Sequence, residues 1–281
     1  MLRVAIPNKG QLAEPAREIL IEAGYRVSMT GRDLVVQDPI NDVEFFFLRP
    51  RDIATYVGAG TLEIGITGRD MLLDSGAPAE ELVPLGFAPS TFRLAAPTGT
   101  ASSVLDLQGL RIATSYGRVL SDYLSREGIQ ASIVELEGAV ENAVALGVAD
   151  AIADVVDTGT TLRQAGLSVI GDPILISEAT VVRRRGAAAD PAVDTFVRRL
   201  EGVMVARAYV LIDYDVAVEH LDRACAITPG FESPTVSPLH DPTWRAVRAM
   251  VPKVDLHRIM DELYDLGARG ILVTDISACR L

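Results

Sequence analysis

Short, nearly all-apolar segments alternate with amphipathic segments along the first two thirds of the chain. An apolar run of about four to eight residues is typical of a strand buried on both faces, as in a parallel sheet. Runs of this kind predict strands at Leu2–Ile6, Val43–Leu48, Glu63–Thr67, Arg93–Ala96, Leu110–Thr114, Ile133–Leu136, Asp150–Val156 and Ala179–Arg183. Apolar residues at helical spacing predict helices over Gln11–Ala23, Ala139–Leu146 and Pro191–Ala206. The alternation predicts an α/β fold with mostly parallel sheets.

The end of the chain has a different order of predicted elements. A charged, Gly-containing loop over Arg183–Asp190 leads into a helix with Asp190 as N-cap and Pro191 at its first position. The remainder is predicted to run strand, helix, strand, strand, helix, strand, over Arg207–Asp213, Val216–Ala226, Thr235–Leu239, Trp244–Val251, Asp255–Leu266 and Gly270–Asp275. This is the order of a ferredoxin-like α+β domain.

Composition limits the classes of function. The 281 residues include 26 basic and 38 acidic side chains, a net charge of −12, and 49% are hydrophobic. Ample apolar surface excludes disorder as the main state, and the acidic balance argues against a general binder of DNA or RNA polymers. The length predicts two or three domains. Among the basic residues only Lys9 and Lys253 are lysine.

Location is predicted from what the sequence pattern lacks. The N-terminus shows no signal-peptide h-region, and no apolar run reaches the roughly 18 residues that span a bilayer. The two cysteines and three histidines show no metal or redox spacing. We therefore expect a soluble cytoplasmic protein with no membrane partner.

The segment from Ala153 to Leu162 carries the strongest candidate chemistry. An apolar strand delivers Asp154 and Asp157 to its C-terminal end, and a Thr/Gly-rich turn then leads into a helix near Thr160. Backbone N–H groups and threonine hydroxyls there could hold the phosphate of a phosphorylated ribose, whose hydroxyls Asp154 could bind. An ordinary strand-to-helix turn with a threonine cap is an equally good interpretation from these residues alone.

Several motifs together give a more specific indication. The pattern Glu141, Gly147, Ala149, Ile152, Asp154-Val155, Thr158-Gly159, Thr161-Leu162 keeps the spacing of the signature of ATP phosphoribosyltransferase. Residues 3–10, 46–53 and 64–70 also resemble that family, and the tail, with residues 226–230 and 232–235, resembles the extra domain of its long form. The resemblance covers the whole chain. It implies the first committed step of histidine biosynthesis: transfer of a phosphoribosyl group from phosphoribosyl pyrophosphate to N1 of ATP.

The resemblance implies an architecture and site residues. Two lobes like those of a periplasmic binding protein would comprise residues 1–90 with 184–206, and residues 91–183. A regulatory domain over residues 207–281 would bind histidine, the feedback inhibitor. Lys9 and Arg49 would act electrostatically, with no general base assigned. The expected substrate-binding residues are Arg69, Asp70, Tyr116, Glu141, Asp154, Val155, Asp157, Thr158, Gly159, Thr160, Thr161 and Leu162. The expected histidine-binding residues are Asp215, Phe231, Ser233, Thr235 and Gly270.

Further partners follow from the same resemblance. ATP and phosphoribosyl pyrophosphate carry many negative charges, so Mg²⁺ is expected as cofactor, bound largely through the substrates, with its protein ligands unknown. Homo-oligomers, dimers and hexamers, are expected. The competing interpretations are a non-catalytic solute-binding protein, the effector domain of a transcription regulator, and the short form of the same enzyme.

Overall fold

Three β-sheets organise the chain in the computed structural model, which describes residues 1–27, 34–156 and 159–280. The strands are β1 (Leu2–Pro7), β2 (Val35–Asp38), β3 (Val43–Leu48), β4 (Ile64–Gly68), β5 (Ala79–Pro84), β6 (Ser90–Pro97), β7 (Arg111–Thr114), β8 (Ser132–Glu135), β9 (Ala151–Val156), β10 (Leu167–Ser177), β11 (Ala179–Arg184), β12 (Tyr209–Ala217), β13 (Thr235–Pro238), β14 (Trp244–Pro252) and β15 (Arg269–Asp275). The helices are α1 (Ala13–Glu22), α2 (Pro50–Gly58), α3 (Arg69–Ser75), α4 (Gly117–Glu127), α5 (Asn142–Ala145), α6 (Thr160–Gln164), α7 (Pro191–Ala208), α8 (Leu221–Ile227) and α9 (Leu256–Leu266). The chain divides into two units, Met1–Val197 and Arg198–Leu281.

The first lobe is built on a sheet of order β2-β3-β1-β4-β11-β5. β1 pairs in parallel with β3 and β4, so the carboxyl ends of these three strands lie at one edge of the sheet. β1 and β4 are almost entirely buried, and Phe45 and Phe47 of β3 are in the core. The apolar runs predicted for these strands are confirmed to within about a residue, because strands in the centre of a sheet carry few polar residues that would interrupt an apolar run.

The second lobe is built on a sheet of order β10-β6-β9-β7-β8. β7 pairs in parallel with β8 and β9, whereas β6 pairs antiparallel with β9 and β10. In the first sheet β2, β5 and β11 also pair antiparallel. The prediction of mostly parallel sheets is therefore wrong, and both sheets are mixed. The antiparallel strands lie where the chain passes between the lobes or turns at a sheet edge.

The chain crosses between the lobes twice, from β5 to β6 and from β10 to β11. β11 lies between β4 and β5 of the first sheet and is buried over Ala179–Val182. The predicted second lobe, residues 91–183, is wrong in including this strand. A buried apolar run shows that a strand is central to a sheet, but it does not show which sheet contains it.

Predicted helix boundaries hold where a capping residue marks them. The Asp190 carboxylate accepts the backbone N–H of Ala192 at 2.8 Å, which confirms it as the cap of α7. Gly24, predicted to close the first helix, has φ of +88° just beyond α1. The helix predicted over Ala139–Leu146 is shorter, since only Asn142–Ala145 is helical.

The second unit contains a sheet of order β13-β14-β12-β15, and every pairing in it is antiparallel. Alternate residues of β12, including Ile212 and Tyr214, are buried in a core shared with α8 and α9. The Tyr214 and Thr228 hydroxyls are 2.7 Å apart within this core. The ferredoxin-like arrangement is confirmed, and the predicted regulatory domain, residues 207–281, lies within this unit. Among the described residues, no helix is long and apolar enough to cross a membrane.

Candidate active site

A cavity of about 140 Å³ lies between the two lobes of the first unit. The first lobe contributes Lys9, in the loop after β1, and Asp70, in the first turn of α3. The second lobe contributes Tyr116, just before α4, and Val155 of β9. Open α/β sheets place ligands at the carboxyl ends of their parallel strands, and this cavity has that position. The structure thus brings four of the predicted site residues together.

The cationic side chains at this edge differ in their contacts. Lys9 lies two residues after β1 and Arg49 directly follows β3, and both are exposed. Arg51 donates to the Asp74 carboxylate and to the Ser115 hydroxyl, both at 3.2 Å. Its guanidinium carbon also lies 4.2 Å from the centroid of the Tyr116 ring, a cation–π contact. One face of the Tyr116 ring is therefore covered by Arg51.

Arg69 makes a set of contacts that the sequence did not predict. Its guanidinium donates twice to Glu81 at 2.8 Å and once to Glu178 at 3.2 Å. A further bond of 3.3 Å reaches the carbonyl of Ile176. Glu81 lies on β5 before the first crossing, and Glu178 lies between β10 and β11 at the second. Arg69 thus binds both segments that connect the two lobes. Its predicted contact with substrate stays a prediction.

Asp70 and Tyr116 both line the cavity and are close enough to interact with each other. The Ser177 hydroxyl donates to the Asp70 carboxylate at 2.9 Å and accepts the Asp70 backbone N–H at 3.0 Å. Burial raises the pKa of the Tyr116 phenol above its ordinary value, and the negative charge of Asp70 raises it further. Tyr116 therefore remains a neutral hydroxyl that can donate a hydrogen bond.

Two acidic residues of the signature pattern, Asp154 and Glu141, lie close enough to influence each other. Burial raises the pKa of Asp154 above its ordinary value, and the charge of Glu141 acts in the same direction. The Val155 backbone N–H, which donates to the Asp154 carboxylate at 2.8 Å, and the charge of Arg51 oppose this shift. A carboxylate kept in such surroundings is costly for the ligand-free protein and is typical of a functional position.

The turn after β9 has the predicted strand-to-helix form. Gly159 has φ of +69° and precedes the short helix α6. Thr160 and Thr161 are exposed in its first turn, and Leu162 is buried against the sheet. Asp157 and Thr158 lie outside the described residues, so their predicted roles stay predictions.

Comparison with known proteins decides the family. The family model for ATP phosphoribosyltransferase matches residues 49–202, and the model for the C-terminal domain of the same family matches residues 206–278. The ATP phosphoribosyltransferase of Pseudarthrobacter chlorophenolicus is 61% identical over all of both chains, and that of Streptomyces avermitilis is 60% identical over all of both. The chain belongs to the ATP phosphoribosyltransferase family. It is a transferase of histidine biosynthesis, in the long form with a C-terminal domain.

Solved structures support the fold. An ATP phosphoribosyl transferase (HisG:HisZ) complex from Thermotoga maritima has a TM-score of 0.64 and 29% identity, covering 73% of this chain and 98% of that one. An L-cystine ABC transporter from Listeria monocytogenes has a TM-score of 0.50 and 14% identity, covering 74% and 91%. The two-lobed, periplasmic-binding-protein-like core is thereby confirmed as a fold.

The predicted histidine-binding residues all lie in the second unit. A Cβ placed on Gly270, whose φ is +59°, would lie 3.7 Å from the Asp215 carboxylate, so these two residues are neighbours. Asp215, expected to follow its strand, lies within β12. Phe231 makes an edge contact with Tyr209 at 6.0 Å between ring centroids. Ser233 precedes β13, which Thr235 begins, and both are exposed.

Some residues of the cleft had no recognisable signal in the sequence. Ser177 is buried beside Asp70 although 107 residues separate them. Asp74 and Glu178 likewise contact residues far from them in the sequence, Arg118 for Asp74 and Arg69 for Glu178. Only the sheet topology could have placed these side chains at the cleft.

Proposed function

We propose that this protein transfers the phosphoribosyl group of phosphoribosyl pyrophosphate to N1 of ATP, releasing pyrophosphate. One observation carries the proposal: Lys9, Asp70, Tyr116 and Val155 come from four separate segments and two lobes, yet they line a single cavity. All four had been assigned to substrates or to catalysis from the family resemblance.

The cleft supports a division of roles. Lys9 and Arg49, exposed at the ends of parallel strands, would hold the pyrophosphate. The turn from Asp154 to Leu162 would hold the 5-phosphate and ribose, with the threonine hydroxyls and the backbone N–H groups around Gly159 as donors. Asp70 and Tyr116 would lie near the nucleotide.

The chemistry requires positioning rather than a strong base. As the C1–oxygen bond to pyrophosphate breaks, its electron pair leaves with pyrophosphate and the sugar becomes oxocarbenium-like. The lone pair of adenine N1 forms the new bond to C1. Fixed cations beside the leaving group lower this barrier because they stabilise charge that develops only in the transition state.

Mg²⁺ is part of the same proposal. The cavity offers the Asp70 carboxylate as a hard oxygen donor, while the described residues contain no group of three or more potential metal ligands. The ion would therefore be held mainly by substrate phosphates, where it would neutralise the leaving pyrophosphate.

Pyrophosphate release and the absorbance change of phosphoribosyl-ATP formation test the reaction. With ATP, phosphoribosyl pyrophosphate and Mg²⁺, we expect turnover by the wild type and a large loss of kcat in Lys9→Ala. Lys253→Ala is the matched control, since that lysine pairs with Asp275 at 3.0 Å in the other unit. No turnover by pure wild-type protein would refute the proposed reaction, and full turnover by Lys9→Ala would remove Lys9 from it.

The phosphate-binding turn has a separate test. Thr161→Val should raise the KM for phosphoribosyl pyrophosphate, because the exposed hydroxyl is lost without a change of size. Thr100→Val, in an exposed loop of the same lobe, should leave that KM unchanged. An unchanged KM in Thr161→Val would contradict the assignment of the turn.

We also propose feedback inhibition by histidine at the second unit, in a cytoplasmic enzyme that forms dimers and hexamers. Asp215, beside Gly270, would bind the amino group or imidazole of histidine. Asp215→Ala should then shift the histidine inhibition curve, whereas Asp213→Ala, two residues along β12 and paired with Arg248 at 2.7 Å, should not.

Light scattering with and without histidine measures the oligomeric state. A monomer in both conditions would refute the proposed dimers and hexamers.

A further inference from the structure

The Asp74 carboxylate connects the two lobes. Asp74 lies on α3 of the first lobe, and its side chain is only 15% exposed. One carboxylate oxygen accepts the backbone N–H groups of Arg118 at 3.1 Å and Val119 at 3.4 Å, in the second lobe. The other oxygen accepts an N–H of Arg51 at 3.2 Å, in the first lobe.

The contact with the second lobe supplies a missing cap. The first N–H groups of a helix have no partner within that helix. No side chain at the N-cap position of α4, Tyr116, provides one. Asp74 does so from the other lobe, and a carboxylate at a helix N-terminus also interacts favourably with the helix dipole. Because Tyr116 immediately precedes α4, fixing the start of this helix fixes the position of Tyr116.

The contact with Arg51 acts on the same residue from the other side. Arg51 lies 4.2 Å over the Tyr116 ring, and its second nitrogen donates to the Ser115 hydroxyl. Asp74 thus holds both the backbone that follows Tyr116 and the guanidinium that covers its ring. The contact of Asp74 with α4 joins the two lobes and requires them to be at their present separation, whereas its contact with Arg51 lies within the first lobe.

We propose that Asp74 is a positioning residue for nucleotide binding, which holds Tyr116 and Arg51 in place across the cleft. The proposal rests on the proposed function, in which Tyr116 lies near ATP. Asp74 itself lies outside the cavity lining and would not touch substrate.

The variant Asp74→Asn tests the charge with little change of shape. Its amide oxygen can still cap α4, but its NH₂ group faces the Arg51 donor and cannot accept from it. We expect the Kd for ATP, measured by titration calorimetry, to rise about tenfold. The KM for ATP should rise equally, and the KM for phosphoribosyl pyrophosphate much less. Asp122→Asn, an exposed acid on α4, is the control with the same charge change and should bind ATP like the wild type.

A double-mutant cycle separates positioning from a general structural role. If Asp74 acts through Arg51, then Asp74→Asn will have no further effect on ATP affinity in an Arg51→Ala background. Effects that multiply, or an unchanged Kd in Asp74→Asn at equal thermal stability, overturn the inference. Asp74→Ala also removes the cap; should it fail to fold, Asp74→Asn still decides the question.

The two proposals fail in different ways. A wild type that binds ATP but releases no pyrophosphate refutes the proposed reaction and leaves the Asp74 measurement valid. A wild type that turns over while Asp74→Asn binds ATP equally well refutes only the role of Asp74. A wild type that does not bind ATP refutes both.

Discussion

Replacing Arg69 by Ala should destabilise the ligand-free protein. The change removes three hydrogen bonds to carboxylates and one to the Ile176 carbonyl, and it leaves Glu81 and Glu178 close together without a cation. Removing one partner of a buried ion pair costs about 3–5 kcal/mol, and the 24% exposure of the Arg69 side chain reduces this through solvent screening. We expect a loss of about 3 kcal/mol in the free energy of unfolding.

Thermal unfolding without substrates measures this loss. For a unit of 197 residues, ~3 kcal/mol corresponds to a fall in Tm of about 6–12 °C. Arg183→Ala is the matched control because that arginine makes one ion pair, with Glu80 at 2.7 Å, and is more exposed. It should lose at most about 1 kcal/mol, or about 3 °C.

The result distinguishes two roles for Arg69. If Arg69 only contacts substrate, its loss will leave the Tm of the ligand-free protein unchanged. If it holds together the two segments that connect the lobes, its loss will lower that Tm. Arg69→Lys should fall between wild type and Ala, since it keeps the charge and loses the planar fork. If Arg69→Ala unfolds within about 3 °C of the wild type, like the control, the reasoning from these contacts is refuted.

Other changes have expected outcomes of defined sign. Gly159→Ala should lower the free energy of unfolding by about 1–2 kcal/mol, because the backbone there is left-handed, and should raise the KM for phosphoribosyl pyrophosphate. Gly99→Ala is the control: with φ of +85° it should lower the free energy of unfolding as much and leave this KM unchanged. Asp154→Asn should raise Tm at pH 7 while weakening substrate binding, because burial raises the pKa of Asp154 and makes its charged form costly when folded; an unchanged or lower Tm would contradict this. The Arg111 guanidinium lowers the pKa of Asp150 to about 2. The ion pair therefore stabilises the folded protein fully at pH values above 3.8, the ordinary pKa of the carboxyl group, and this stabilisation is lost as the pH falls through about 2. Asp150→Asn should therefore flatten the fall of Tm between pH 5 and 2, and an unaltered slope would refute the pairing.

The sequence predicts elements well where burial is complete and poorly where it is partial. β1 and β3 could be predicted because their residues are apolar and central to a sheet. β2 and β10 were missed because both are edge strands with many exposed positions, so neither shows a continuous apolar run. Similarly, the resemblance identified Tyr116 and Asp70, but the contacts that hold them come from Asp74 and Ser177, which no local pattern indicates.

The net charge of −12 and the proposed polyanionic substrates are compatible because electrostatic screening is short-ranged. At physiological ionic strength, charges more than about 8 Å apart in solvent interact weakly, so the overall acidity matters little inside a cleft. The local charges matter more: Lys9 is exposed at the cavity and Arg49 is exposed at the end of β3, whereas Arg69 is paired with Glu81 and Glu178. Substrate affinity should therefore depend on which cations are available within the cleft, and only weakly on the charge of the whole chain.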